Sequence, residues 1–191
     1  MDYVDYNGYL TISANQIIDN GGEGIYMNDI EYSGRVVIGG EGNLISGNDC
    51  EGIYVDDVDY GGYLAILDNE IVWNGDDGIE VEDINDGSEV LIQGNIISEN
   101  EEHGILSDDD LCDGSRLSIL DNQIINNGDD GIYFYDIEYG AEALVQGNTI
   151  SGNYYGIYVD DWVGEGSRLT IVDNEIVNNE GIRAGVILTG A

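Results

Sequence analysis

The sequence predicts an all-β solenoid, a stack of about seven similar coils, and three observations carry this prediction. The motif N-x-I-x-x-N recurs at residues 15, 43, 69, 95, 122, 148 and 174, a spacing of about 26 residues. A Gly-Ile pair follows each motif, and a short alternating segment such as LTI or VVI precedes it. One such unit cannot bury its own apolar side, whereas stacked units bury a continuous core.

Each unit contains three short apolar segments, which read x-L-x-I, N-x-I and G-I-x-V in chain order. Their period-two alternation predicts strands, and no stretch has a 3.6-residue period long enough for a helix. Asn, Gly and Asp separate the segments, as expected for turns. We therefore expect each strand to pair with its equivalent in the next coil, about 4.8 Å away.

The full pattern L-x-I-x-x-N-x-I-x-x-N-x-x-x-G-I-x-V resembles the repeat of pectin-lyase-like proteins and covers nearly the whole chain. The resemblance implies a right-handed, single-stranded parallel β-helix. We expect residues 1–191 to form one domain, as a fragment of a longer solenoid or as a subunit that associates end to end into filaments. The fold hosts lyases, hydrolases, adhesins and inert stalks, so it does not by itself assign a function.

The charge of the chain restricts its partners. Forty Asp and Glu residues face four Arg and no Lys, for a formal net charge of −36. Nucleic acid is excluded because its binding needs a basic face, and anionic membrane surfaces are disfavoured for the same reason. No apolar run is long enough to cross a bilayer, and the segment MDYVDYNG has no signal-peptide features. We expect a secreted or cell-surface protein that lives among cations.

An aspartate follows the G-I-x-V segment in six coils, and in four of them the residue before it is also acidic. At strand spacing each neighbouring pair of carboxylates repels by roughly 0.8 kcal/mol in water, and a hard cation such as Ca²⁺ would reverse this effect. We therefore expect calcium as the cofactor, and the alternative is a solvated acidic face in a high-salt habitat. The predicted metal ligands are Asp29, Asp56, Asp57, Glu82, Asp83, Asp108, Asp109, Asp136, Asp160 and Asp161.

Two GDDGI segments, with the pairs Asp76-Asp77 and Asp129-Asp130, resemble the aspartate pair of polygalacturonases, and EHGI around His103 faintly resembles their histidine motif. Both motifs occupy one position of the repeat, however, and the chain has no lysine for the Arg-x-Lys of those enzymes. The sequence therefore predicts no catalytic residue, and it predicts an exposed turn position for His103.

One column just before the L-x-I strand accounts for three of the four arginines. It predicts an outward ion-pair ladder of alternating sign, with Arg35 between two tyrosines, where a cation–π contact can form. Arg183 stays unassigned. The column consists of Tyr9, Arg35, Tyr63, Glu89, Arg116, Glu142 and Arg168.

Tyrosines occupy the outward position of the G-I-Tyr segments, where they could stack on sugar rings or contact a neighbouring chain. This face consists of Tyr26, Tyr54, Tyr133 and Tyr158. The two cysteines, Cys50 and Cys112, occupy different repeat positions and are expected to be unpaired.

We interpret the chain as a non-catalytic, cation-stabilised structural module with no bound organic cofactor. The alternative is a domain that binds or cleaves polysaccharide.

Overall fold

The computed structural model describes residues 3–187 as a stack of coils with three parallel sheets running along it, so the first two and last four residues of the predicted domain lie outside this description. Sheet 1 contains the strands formed by the G-I-x-V segments. In order they are β1 (Tyr3–Val4), β4 (Ile25–Ile30), β7 (Ile53–Val58), β10 (Ile79–Ile84), β13 (Ile105–Leu111), β16 (Ile132–Ile137), β19 (Ile157–Val163) and β22 (Ile182–Ile187).

The other two sheets contain seven strands each. Sheet 2 consists of β2 (Tyr9–Ile12), β5 (Arg35–Gly39), β8 (Tyr63–Leu67), β11 (Glu89–Gln93), β14 (Arg116–Leu120), β17 (Glu142–Gln146) and β20 (Arg168–Val172). Sheet 3 consists of β3 (Gln16–Ile18), β6 (Leu44–Ser46), β9 (Glu70–Val72), β12 (Ile96–Ser98), β15 (Gln123–Ile125), β18 (Thr149–Ser151) and β21 (Glu175–Val177).

Every strand pairs in parallel with the equivalent strand of the next coil, which confirms the predicted parallel β-helix of about seven coils. We number the coils 1 to 7 by the first asparagine of the repeat, from Asn15 to Asn174. In each coil the chain passes from sheet 2 to sheet 3, then to sheet 1, and then to the next coil. Residues with the same repeat position therefore form columns along the stack.

The core is built by the inward side chains of all three sheets. Ile38, Ile71 and Ile84, one from each sheet, are fully buried. Burying a side chain of this size stabilises the fold by about 1.5–3 kcal/mol relative to leaving it exposed. Because each coil contributes such residues to one continuous core, a coil depends on its neighbours for stability.

Two asparagine ladders connect the coils at the corners on either side of sheet 3. In the first ladder Asn69 Nδ2 donates to Asn95 Oδ1 at 3.0 Å, and Asn95 Nδ2 donates to Asn122 Oδ1 at 3.0 Å. In the second, Asn74 Nδ2 donates to Asn100 Oδ1 at 2.9 Å. These side chains are almost fully buried, so an unpaired amide there would cost about 1–3 kcal/mol. The ladders explain why asparagine recurs at these positions.

Aspartate and glycine alternate at the corner between sheets 2 and 3 for a steric reason. A Cβ atom on Gly94 would lie 2.4 Å from Asp68 Oδ1, and one on Gly147 would lie 2.3 Å from Asp121 Oδ1. Each aspartate side chain thus extends over the next coil, which must carry glycine at that place. The alternation of aspartate and glycine in successive coils, with Asp68, Asp121 and Asp173 separated by Gly94 and Gly147, therefore follows from packing.

Candidate functional site

The acidic face lies on sheet 1, and its first three coils agree with the predicted column. Asp29, Asp57 and Asp83 are direct partners on the neighbouring strands β4, β7 and β10. Burial, with the charge of Asp83 as the next cause, raises the pKa of Asp57 to about 7. The carboxylates are therefore as close together as the repeat predicts, and Asp57 binds its proton more tightly than free aspartate does.

In the later coils the predicted column is wrong, because two strands carry one extra residue. Strands β13 and β19 have seven residues where β10 and β16 have six, and a β-bulge absorbs the difference. Asp110, not Asp109, is the partner of Asp136. Between β16 and β19 the register shifts again, from Phe134 to Ile137, so Asp161 is not the register partner of Asp136. The sequence contains a signal for the extra residue, because the buried residues Ile105 and Leu111 are six positions apart whereas Ile79 and Ile84 are five positions apart.

The residues immediately before the Asp57 column also face outward. Tyrosines two residues further upstream donate hydrogen bonds to some of them. Tyr158 Oη donates to Asp160 Oδ1, and Tyr26 Oη donates to Asn28 Oδ1 at 3.0 Å. Burial, with a hydrogen bond from Tyr54 to Glu82 as the next cause, raises the pKa of the Tyr54 phenol. These outward side chains therefore pair within a strand at Tyr26 and Tyr158, and across neighbouring strands at Tyr54.

The aspartates of the GDDGI segments are part of a hydrogen-bonded ladder at the corner between sheets 3 and 1. Asp77 Oδ1 accepts from the backbone N–H of His103 at 2.6 Å. His103 Nδ1 accepts from the N–H of Asp130 at 3.1 Å, and Asp130 Oδ1 accepts from the N–H of Tyr155 at 2.8 Å. We call Asp77, His103, Asp130 and Tyr155 the corner ladder. Each of its first three side chains satisfies a backbone donor of the following coil.

Burial dominates the acid–base chemistry of the corner ladder. Asp77 and Asp130 are each 2% exposed, and burial raises the pKa of Asp77 to about 8 and that of Asp130 to about 6. Burial lowers the pKa of His103, and this effect exceeds the opposite influence of nearby acids. The predicted exposed position of His103 is wrong, since its side chain is only 13% exposed. Glu80, which the motifs did not single out, is also buried, and its burial raises its pKa to about 9.

Three of the four arginines, Arg35, Arg116 and Arg168, lie on the outer face of sheet 2, away from the acidic corner. Arg116 contacts Glu89 Oε1 at 3.1 Å and Glu142 Oε2 at 3.4 Å, which confirms this part of the predicted ladder. Arg168 is the strand partner of Glu142. The guanidinium of Arg35 lies 4.1 Å from the ring centroid of Tyr63, as expected. Arg35 and Arg116 therefore contact side chains on the neighbouring strands of sheet 2.

The tyrosine face is divided into two parts. Tyr26 and Tyr54 stack with ring centroids 5.4 Å apart, while Tyr133 and Tyr158 meet edge to face at 5.3 Å. Glu80 and Leu106 lie between these pairs in the same column. The previously unassigned Arg183 is the strand partner of Tyr158 and lies 5.1 Å from its ring centroid.

The three parallel sheets, the asparagine ladders and the regular coils define a right-handed parallel β-helix repeat protein. The chain belongs to a family described as periplasmic copper-binding protein (NosD), whose model matches residues 65–191. No curated protein and no solved structure gives a significant match to the chain. The family assignment supports a location on the outer side of the cytoplasmic membrane. Between residues 3 and 187, no helix is long and apolar enough to cross a membrane.

The prediction of calcium is wrong, because the family assignment points to copper. Copper in its reduced form prefers thiolate and thioether ligands, and in its oxidised form it prefers imidazole in a tetragonal arrangement. The described sulfur atoms do not converge. Met27 is 1% exposed in the core, and Cys112 Sγ donates to Asn85 Oδ1 at 2.8 Å two coils from Cys50. Burial raises the pKa of the Cys112 thiol to about 12, which opposes the thiolate form.

The imidazole of His103 does not fit copper either. Two groups of carboxylates surround it, Asp77 with Glu102 and Asp129 with Asp130. Its Nδ1 atom already accepts from the Asp130 N–H, so a metal at Nδ1 would displace this bond. A metal at Nε2 would require the ring proton on Nδ1, facing the same N–H donor. Among the described residues, the donors that copper prefers are therefore dispersed or already bonded.

Proposed function

We propose that the chain is a non-catalytic structural module, a rigid β-helix that serves as a spacer or scaffold in an extracytoplasmic protein. The observation that carries this proposal is the corner ladder. Asp77 and Asp130 each belong to one of the two GDDGI segments, whose aspartate pairs most resemble a catalytic pair. Asp77 accepts a backbone N–H of the next coil at 2.6 Å, and Asp130 accepts one at 2.8 Å. A catalytic carboxylate must instead reach a substrate proton.

The regularity of the coils supports the same proposal. Grooves of polysaccharide-cleaving enzymes need side chains that converge on a bound chain. Here an apolar recess of about 430 Å³ lies against Val163, Leu169 and Ile171 in the last coils, and none of the described residues lining it is acidic. The acids occur instead in columns, one similar set per coil, as expected for a structural repeat.

The test is incubation of the chain with polygalacturonate, pectin and alginate, with new reducing ends and unsaturated uronates measured. We expect neither product. Product that is lost in both Asp77→Asn and Asp130→Asn would overturn the proposal. Product that persists in both variants and also appears in a mock purification without the chain would come from a contaminating enzyme, whereas persistent product that is absent from the mock purification would also overturn the proposal.

Polysaccharide binding without cleavage is a second candidate, favoured by one group of aromatic rings. Tyr154, Tyr155 and Tyr158 meet at tilted or edge-on angles, with Arg183 against the last two. Such angles leave more ring surface uncovered than the nearly parallel stack of Tyr32 and Tyr60, whose planes differ by 5°. Arg183 covers part of Tyr155 and Tyr158, so the most open ring of the group is that of Tyr154, which is 55% exposed. Retention of the chain on immobilised neutral and acidic glycans, lost in Tyr158→Ala, would favour this candidate.

Copper binding and end-to-end association are not part of the proposal. The ligand geometry argues against a preformed copper site, as described above. End-to-end association stays a prediction.

A further inference from the structure

His103 differs from the other rungs of the corner ladder in one chemical respect. It is the one histidine of the chain, and its Nδ1 accepts the Asp130 N–H at 3.1 Å between coils 4 and 5. A carboxyl oxygen can accept such a bond whether or not the group is ionised, but an imidazole nitrogen can accept only when it carries no proton. The hydrogen bond from the Asp130 N–H to His103 Nδ1 can therefore form only while the imidazole is neutral.

We propose that His103 is a pH-sensitive latch between coils 4 and 5, closed by the neutral imidazole and opened by its protonation. This inference concerns the regulation of the fold and goes beyond the scaffold function proposed above.

The surroundings of His103 contain acids on each neighbouring coil. Its ring also lies 4.9 Å from that of Tyr133. The acids stabilise the imidazolium, whereas burial destabilises it, and burial is the larger effect, so the pKa is lowered. The titratable groups that face the ring are Asp76 and Asp77 from coil 3, Glu102 and Asp108 from coil 4, and Asp129, Asp130 and Tyr133 from coil 5.

The direction of the pH effect follows from this shift. A base whose pKa is lower in the folded state than in the unfolded chain stabilises the fold above its unfolded value of about 6.5. That contribution is lost as the pH falls through the folded pKa. The latch is thus closed at neutral pH and opens in mild acid, below the usual range of histidine.

Protonation would also give the ring a new partner. The proton on Nδ1 would face the Asp130 N–H, and two donors repel. The Asp130 carboxyl group offers an acceptor oxygen nearby, whether or not it is ionised, since its Oδ2 atom lies 4.0 Å from Nδ1. Because Asp130 Oδ1 holds the N–H of Tyr155, movement of this carboxyl group toward the imidazolium would disturb the next rung. The latch therefore couples coils 4, 5 and 6.

Nuclear magnetic resonance tests this inference cleanly, because the intact chain has a single set of imidazole signals. We expect ¹⁵N shifts of the Nε2–H tautomer at neutral pH and a ring pKa below about 6.5. The Asp130 amide signal should shift with the ring midpoint in the native chain and should lack that step in His103→Asn, which separates the ring from the Asp130 carboxyl group, whose pKa burial raises to about 6. The Nδ1–H tautomer, or a ring pKa at or above that of a free histidine, would overturn the proposal.

Hydrogen exchange measures the opening itself. His103→Asn keeps an acceptor oxygen on a side chain that does not titrate, so the comparison at equal pH removes the intrinsic pH dependence of exchange. We expect the Asp130 amide of the native chain to exchange faster than that of the variant, by about tenfold for each pH unit as the pH falls from about 6.5 toward the ring pKa, and by a constant factor below it. Equal exchange rates in the two proteins across this range would refute the latch.

Discussion

Replacing Asp77 by asparagine should stabilise the protein, and the gain should grow with pH. Asparagine keeps an oxygen that can accept the His103 N–H now bound at 2.6 Å. It also removes a carboxyl group that is 2% exposed and whose pKa burial raises to about 8. The native chain must either keep a proton on this group or bury its charge.

The magnitude follows from linkage. The unfolded carboxyl group has a pKa of about 3.9, so the folded chain holds a proton that the unfolded chain releases between about pH 4 and pH 8. Over this window the native protein loses about 1.4 kcal/mol of stability per pH unit from this group. Asp77→Asn should therefore match the native protein near pH 4 and exceed it by about 5 kcal/mol at pH 8 and above.

Chemical unfolding at several pH values between 4 and 9 measures this difference. Asp129→Asn is the matched control, since it removes one charge from the exposed first position of the other GDD segment. It should change stability by no more than about 0.5 kcal/mol. A difference between Asp77→Asn and the native chain that stays constant with pH would refute the reasoning. So would a loss of stability at pH 8.

Three further predictions concern other parts of the stack. Arg116→Glu should lower the unfolding free energy by roughly 1 kcal/mol at low salt and less in high salt, because it places three acids in succession on sheet 2; equal melting at low salt would contradict this. Gly94→Ala should destabilise more than Gly114→Ala, since both glycines have φ near +70° but only at Gly94 would the added Cβ meet another atom, Asp68 Oδ1 at 2.4 Å; equal losses in thermal melts would show that the side chain gives way. Equimolar Cu²⁺ should leave the His103 ring signals sharp, and their selective broadening would reveal a copper site there.

The repeat allowed the fold to be predicted in detail, because the period-two strands and the corner asparagines follow directly from the sequence. Asn95 and Asn100 could be assigned to ladders since a column of identical amides has one simple way to bond. The register of the acids could not be followed in the same way. One extra residue in β13 moves Asp110 into the place expected for Asp109, and motif alignment does not show where a bulge is absorbed.

The site was harder to predict, because its chemistry depends on burial. The sequence shows that Asp77 and His103 share a repeat position, but not that both point toward the backbone of the next coil. The expectation of calcium treated the acids as ionised charges that need a counterion. Burial instead raises the pKa of Asp57 to about 7 and that of Glu80 to about 9, so protons relieve much of the repulsion.

The central claim is that the conspicuous acids hold the coils together, and amide exchange at the corner ladder tests it most directly. The N–H groups of His103 and Tyr155 should exchange slowly in the native chain. Asp77→Ala should expose only the His103 amide, and Asp130→Ala should expose the Tyr155 amide, with exchange faster by about tenfold for each 1.4 kcal/mol of lost hydrogen bonding. Fast exchange of both amides in the native chain, or unchanged protection in both variants, would contradict the claim.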